Sequence, residues 1–424
     1  MGDKKIEIKQ GINLHFIPTN LFKTNLVCVL LTTPLNRDTV TKNALIPFLL
    51  KRGSKNYKTQ EEISKKLDDL YGTSFECGVD KIGDNQVLKF YIESIRDEYI
   101  ADGSLIDESI KLLLDIIFNP NLENGFFKEE FLKTEKEKLK KIIESKIDDK
   151  DFYALENCIS TMYNNEGFGL FKFGNIEDVD NINQENITEQ YFKLLKTAKI
   201  DIFVSGNLNE NYVKNVFIEN ENIKNLIPRA ENYILNNEFT EIKQIVDKPK
   251  EITEKMNITQ GKLVIGMDIL SKQENLQCIA LVYNSILGDG ANSMLFQNVR
   301  EKASLAYSTK SNLVKQKMNI FIRCGIEIEN YEKALNIIKE QLENIKSGNF
   351  SDEDINNAKK YLISGIKSVS EEQDTEVVYY IGQEISKTNV DLDTYLKNIE
   401  KVTKQEIIDF ANQIQINTIY FLRD

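Results

Sequence analysis

VDNINQENITEQYFKLLKTAKIDIFVSGNL, residues 179–208, decides how this chain is organised, because NIEKVTKQEIIDFANQIQINTIYFLRD, residues 398–424, is written to the same plan. Each runs from Ile or Val, through an Asn or Thr suited to cap a helix, into a short amphipathic helix and then an apolar strand (IDIFVSG, NTIYFL). A second matched pair lies upstream. GFFKEEFLKTEKEKLKKII (125–143) and GNFSDEDINNAKKYLISGI (348–366) both open on Gly and Phe, place acids in the first turn and continue as a long helix. Two pairs offset by about 220 residues predict two structurally equivalent halves, 1–225 and 258–424. The stretch between, 226–257, is charged and weakly periodic, as expected of a linker.

Strands and helices mix within each half. EIKQGINLHFIPT and TNLVCVLLTT read as paired strands, TQEEISKKLDDLYG as a helix closed by Gly72, and SFECGVDKI with QVLKFYIESI as a hairpin. Hairpins beside long helices such as 128–146 predict an α+β fold: two α/β-sandwich halves with mainly antiparallel sheets, not a doubly wound parallel sheet.

Composition narrows the function. A 424-residue chain with 41% apolar and 28% charged residues is globular and too long for one core. A net charge of −12 argues against nucleic-acid binding, which requires basic patches. The opening MGDKKIEIKQ is charged, and the longest apolar runs, such as LVCVLL (26–31), are strand-sized, so no export signal or membrane span is expected. Cys28, Cys77, Cys158, Cys278 and Cys324 lie far apart without a CxxC pair and read as reduced thiols of a cytoplasmic protein. Histidine occurs once, as His15 in INLHFIPT, where it reads as a strand residue rather than a ligand.

The most informative motif is SILGDGANSMLFQNVREKASLAYSTKSNLV, residues 285–314. A turn holding Gly288 and Gly290 leads into a helix opened near Asn292 or Ser293, with Leu295, Phe296 and Val299 on its apolar face. The helix gives out near Lys302 and a strand follows. No GK[ST] follows the glycines and Asp289 would repel phosphate, so a nucleotide site is not expected. The stretch resembles the C-terminal-half motif of the M16 metallopeptidases, the pitrilysin, insulin-degrading and mitochondrial-processing group. The matching residues are Ser293–Phe296, Arg300, Glu301, Ala306 and Tyr307, and the resemblance covers essentially the whole chain. It implies the LuxS/MPP-like metallohydrolase fold with the halves in a clamshell.

Active members of that family carry HxxEH on a first-half helix, where two imidazoles and a distant glutamate hold zinc and the motif glutamate activates water. Counting back from Lys51-Arg52-Gly53-Ser54, the corresponding positions are Ala44, Pro47 and Phe48, with the distant ligand expected near Lys146. A chain with one histidine cannot build a His₂Glu site, so no metal, no cofactor and no catalytic residue is expected. No GxSxG is present and no cysteine shares a segment with the histidine, which leaves no substitute nucleophile; the DDK run at 148–150 reads as a solvated helix end. Taken alone, Arg300 and Tyr307 fit a surface ion pair and a sheet edge. The resemblance instead implies that they bind the peptide near its scissile region. It further implies a catalytically inactive subunit that forms a heterodimer with an HxxEH-bearing M16 peptidase, or a homodimer, and acts on peptide or unfolded protein. The alternative is a stand-alone peptide-binding or scaffolding protein.

Overall fold

The computed structural model describes residues 3–101, 103–229, 243, 245–270 and 276–424. The chain forms two compact units: Met1–Glu144 with Leu170–Asn236 and Glu371–Ile385, and Ser145–Gly169 with Asn237–Ser370 and Ser386–Asp424.

The first unit is built on β1 (Lys4–Lys9), β2 (Ile12–Pro18), β3 (Thr24–Pro34), β4 (Ser74–Ile82) and β5 (Asn85–Ile95). A two-residue hairpin, β6 (Leu122–Glu123) with β7 (Phe126–Phe127), stands apart, and β8 (Lys199–Gly206) returns to the main sheet. The sheet order is β1-β2-β8-β3-β5-β4, antiparallel except between β2 and β8. The second unit holds β9 (Lys250–Lys255), β10 (Gly261–Ile269), β11 (Ala306–Val314), β12 (Asn319–Ile326) and β13 (Ile414–Arg423), in the order β11-β12-β10-β13-β9. Read from β9, that order repeats β2-β8-β3-β5-β4, and its parallel pair, β9 with β13, falls in the same place. The helices Glu129–Glu144 and Asp352–Lys367 likewise hold equivalent places, each the second long helix after the sheet's hairpin. The fold is α+β with mostly antiparallel sheets, as the hairpin pattern implies.

Two pairings differ from the sequence reading. EIKQGINLHFIPT is two strands, β1 and β2, folded about Gly11 at φ +71°. β2 does not pair with β3, because β8 lies between them, parallel to β2 and antiparallel to β3. Neighbouring strands in sequence usually pair, but an apolar strand arriving from 180 residues downstream leaves no local trace of its slot. The presumed linker 226–257 also contains a strand, β9; residues 230–242 and 244 of it lie outside the described residues.

The LVCVLL run is continuous rather than alternating because both faces of β3 are covered. Val27, Val29 and Leu31 join the main core with Ala44, Leu45, Leu113 and Ile187, while Leu26, Cys28 and Leu30 pack against Val377, Tyr380 and Ile381. Those last three belong to the helix Gln373–Ile385, whose sequence lies in the C-terminal half. The second unit mirrors this: Ala154, Cys158 and Ile159, from the helix Lys150–Met162, pack against Val264, Phe321 and Tyr420. Each half of the sequence thus gives one helix to the other half's sheet. All five cysteines are free, and burial pushes their thiols up, Cys77 to about 11. No described helix is long and apolar enough to cross a membrane.

Candidate functional site

The helix Val40–Leu50 carries Ala44, Pro47 and Phe48, the positions to which the sequence reading assigns the zinc motif, and it packs into the core. Ala44 is 0% exposed, Pro47 is buried inside the helix and Phe48 is half-buried, so none offers a metal donor. Pro47 removes one backbone donor from the helix. Its carbonyl still accepts from Lys51 N (3.1 Å) and from Cys77 Sγ (3.3 Å).

Lys146, expected near the distant ligand, belongs to the other compact unit, where its ammonium lies 5.4 Å from the Tyr153 ring. The carboxylate that does reach this region is Glu135, 3% exposed, on the helix Glu129–Glu144. Counting along the sequence missed it. The legible signal was a glutamate placed in the apolar stripe Leu132–Glu135–Leu139, at helical spacing. Glu135 accepts from Arg52 Nε at 2.5 Å and from Lys138 Nζ at 2.9 Å. A guanidinium and an ammonium therefore neutralise the carboxylate that a cation would otherwise need to meet. These residues do not fit a zinc ion. Introducing Ala44→His, Pro47→Glu and Phe48→His together is expected to give no stoichiometric zinc, because Glu135 stays tied to Arg52. Overpacking at Ala44 should also cost about 1–3 kcal/mol. Metal analysis finding one zinc per chain in that triple variant would contradict the assignment.

Among the described residues, one group brings three potential metal-ligating atoms within 4.8 Å of one another: His15, Asp201 and Glu384. Its charges are already met. The His15 ring donates from Nδ1 to Asp3 (2.6 Å) and from Nε2 to Asp201 (3.2 Å), and stacks 4.2 Å from Phe203. Lys199 Nζ lies 3.0 Å from Asp201 and 2.9 Å from Glu384, and Lys5 lies 2.8 Å from Glu384. Three cations face three carboxylates. Burial alone would push the His15 imidazole down, but its bonds to Asp201 and Asp3 raise it to about 9. Burial would push Asp201 up, but Lys199, His15 and Asn13 hold it well below the ordinary carboxylate range. This cluster fastens the helix Gln373–Ile385, through Glu384, to β1, β2 and β8. The strand reading of His15 stands, with an ionic role that sequence did not reveal.

The second unit carries Arg300 and Tyr307, and both sit on irregular backbone. Gly288 presses on β11, where a Cβ would fall 2.7 Å from Ser311 Oγ, and its carbonyl accepts from Ser311 N at 2.9 Å. Gly290 turns at φ +112° beneath the Tyr361 ring. The glycines therefore serve close packing and a turn. The helix that follows changes to π geometry over Phe296–Lys302, with Ala303 N donating to Asn298 O at 3.3 Å. Such segments are rare and recur at functional sites. Arg300 lies in it, its guanidinium 4.7 Å from the Phe296 ring and in a long ion pair with Glu301, 3.7 Å. Ser304 ends the segment at φ +53°, a conformation costly for any residue with a Cβ. The β11–β12 register then runs from Ala306↔Ile326 to Ser308↔Gly325, which makes Tyr307 the extra residue of a β-bulge. Tyr307 is 63% exposed, its hydroxyl 3.4 Å from Glu327 Oε1.

Aligned over 415 residues, the chain is 33% identical to the probable inactive metalloprotease YmfF of Bacillus subtilis, covering 97% of this chain and 96% of that one. The chain belongs to the M16 peptidase family. Residues 181–362 match the family model described as the Peptidase M16 inactive domain, a span that includes Arg300 and Tyr307. A conserved protein from Enterococcus faecalis V583 has the same fold at a TM-score of 0.89 and 29% identity, over 100% of this chain and 99% of that one. A peptidase M16 inactive domain from Pseudomonas fluorescens superposes at a TM-score of 0.78 and 15% identity, over 100% and 98% of the two chains, a likeness of fold alone. The likeness to the probable inactive metalloprotease and the match to the inactive-domain model make this M16 chain an inactive peptidase homologue.

Proposed function

We propose that this M16 chain is a non-catalytic subunit that pairs with a zinc-bearing M16 peptidase and lends Arg300 and Tyr307 to the peptide bound there. One observation carries the reading. The two residues singled out by the motif are the ones that a π-helical segment and a β-bulge present at the surface. Irregular backbone of this kind is retained against its cost where it aims a side chain. Arg300 rests on an aromatic ring rather than in a tight ion pair, so its planar fork can grip a carbonyl or carboxylate. The exposed Tyr307 phenol can donate to an oxyanion developing on the substrate. The helix Val40–Leu50 offers no metal donor, which fits a pairing in which the partner chain supplies the zinc.

Mixing tests this. The isolated chain is expected to cleave no peptide, and a zinc-bearing M16 chain encoded with it is expected to co-purify with it and to cleave faster in the mixture than alone. Cleavage by the zinc-bearing chain that is indifferent to this one would favour the stand-alone peptide-binding or scaffolding role.

A further inference from the structure

The segment from Leu295 to Thr309 holds two surplus residues on either side of a three-residue turn. One is the residue that widens Phe296–Lys302 from α to π geometry; the other is Tyr307 in the bulge. Both ends of the segment are fixed. Upstream, Leu295 is buried and Ser293 Oγ donates to Gly290 O at 2.7 Å. Downstream, Thr309 Oγ1 lies 3.0 Å from Cys324 Sγ, and Ser311 N donates to Gly288 O at 2.9 Å. The turn between them is closed by Ser304 N to Arg300 O, 3.1 Å, and Leu305 N to Val299 O, 3.0 Å.

The number of residues between fixed ends cannot change. If the π segment relaxes to α geometry, its surplus residue must pass into the turn, and the turn can take it up only by shifting toward the bulge. Arg300 would then rotate about the helix axis as Tyr307 changes its aim. The two side chains themselves oppose that rotation only weakly, since Arg300 is held by a ring contact and a 3.7 Å ion pair and Tyr307 by a 3.4 Å contact. The bonds the slip must break are Asn298 Nδ2 to Gln341 Oε1 at 3.0 Å and the two that close the turn. The left-handed Ser304 adds a steric cost to the present register.

We infer that the Phe296–Tyr307 segment is a two-register element in which a one-residue slip moves Arg300 and Tyr307 together, making grip and release of the peptide one event. The use of the slip rests on the function proposed above; the slip itself does not.

Hydrogen exchange of the isolated full chain tests the slip without a partner or peptide. Ser304→Gly removes the steric cost of the left-handed turn, so it should slow exchange by roughly 5–30-fold. The slowing should appear equally at 299–304 and at 306–308, on both sides of the turn. Ser304→Val, which worsens the strain, should speed exchange on both sides. A change confined to one side, or none in either variant, overturns the coupled slip. The two claims separate cleanly. If exchange is coupled across the turn while Arg300→Ala and Tyr307→Phe leave partner-dependent cleavage intact, the slip holds and its proposed use falls.

Discussion

Asp201→Ala is expected to destabilise the first unit by about 3–5 kcal/mol, the usual cost of removing one partner from a buried charge network. Asp201 is fully buried and accepts from Asn13 Nδ2 at 2.9 Å and from His15, with the Lys199 ammonium 3.0 Å away. Truncation leaves an imidazolium and an ammonium without their shared counter-charge. The helix Gln373–Ile385 should loosen first, since Glu384 is its anchor in that cluster. Denaturant unfolding gives the magnitude, and a loss below about 1 kcal/mol would place the cluster among exposed, weakly coupled pairs.

The same cluster sets a pH dependence. His15 rises from 6.5 to about 9 on folding, so the stability it contributes is complete below pH 6.5 and is lost as pH rises through 9. The full loss is roughly 3 kcal/mol. Asp201 acts in the opposite sense: its contribution is present above pH 3.8 and disappears in acid. Unfolding midpoints of the wild type should therefore fall between pH 6.5 and 9, with a shallower fall in Asp201→Ala, where only Asp3 still bonds the ring.

The duplication was legible because its signals are local: a capped amphipathic helix running into an apolar strand, written at 179–208 and again at 398–424. The helices 129–144 and 352–367 followed from the same comparison. What escaped is non-local or only one residue in size. An amphipathic helix shows which face is buried but not against which sheet, so the exchange of Lys150–Met162 and Gln373–Ile385 left no mark in the pattern. Partner choice for β8 is of the same kind. The π segment and the bulge at Tyr307 shift the apolar register by a single position, within the scatter of any periodicity. Of the site, that Ala44, Pro47 and Phe48 offer no metal donor is plain from the sequence itself. The Glu135–Arg52 pair could not, because sequence distance along a helix with insertions does not fix which carboxylate turns inward.

The largest functional effect should come from Arg300 and Tyr307. Removing one donor that stabilises developing charge costs about 10²–10³ in turnover. Arg300→Ala and Tyr307→Phe should each approach that loss in the mixed complex while leaving folding and association nearly unchanged, because both side chains are exposed and loosely held. Arg300→Lys should recover little, since an ammonium lacks the planar fork. The decisive measurement is peptide turnover by the zinc-bearing M16 partner, saturated with either wild-type chain or the Arg300→Ala/Tyr307→Phe double variant. A fall of about 100-fold or more with the double variant, at equal subunit association, is the expected result; full turnover with the double variant would contradict the account.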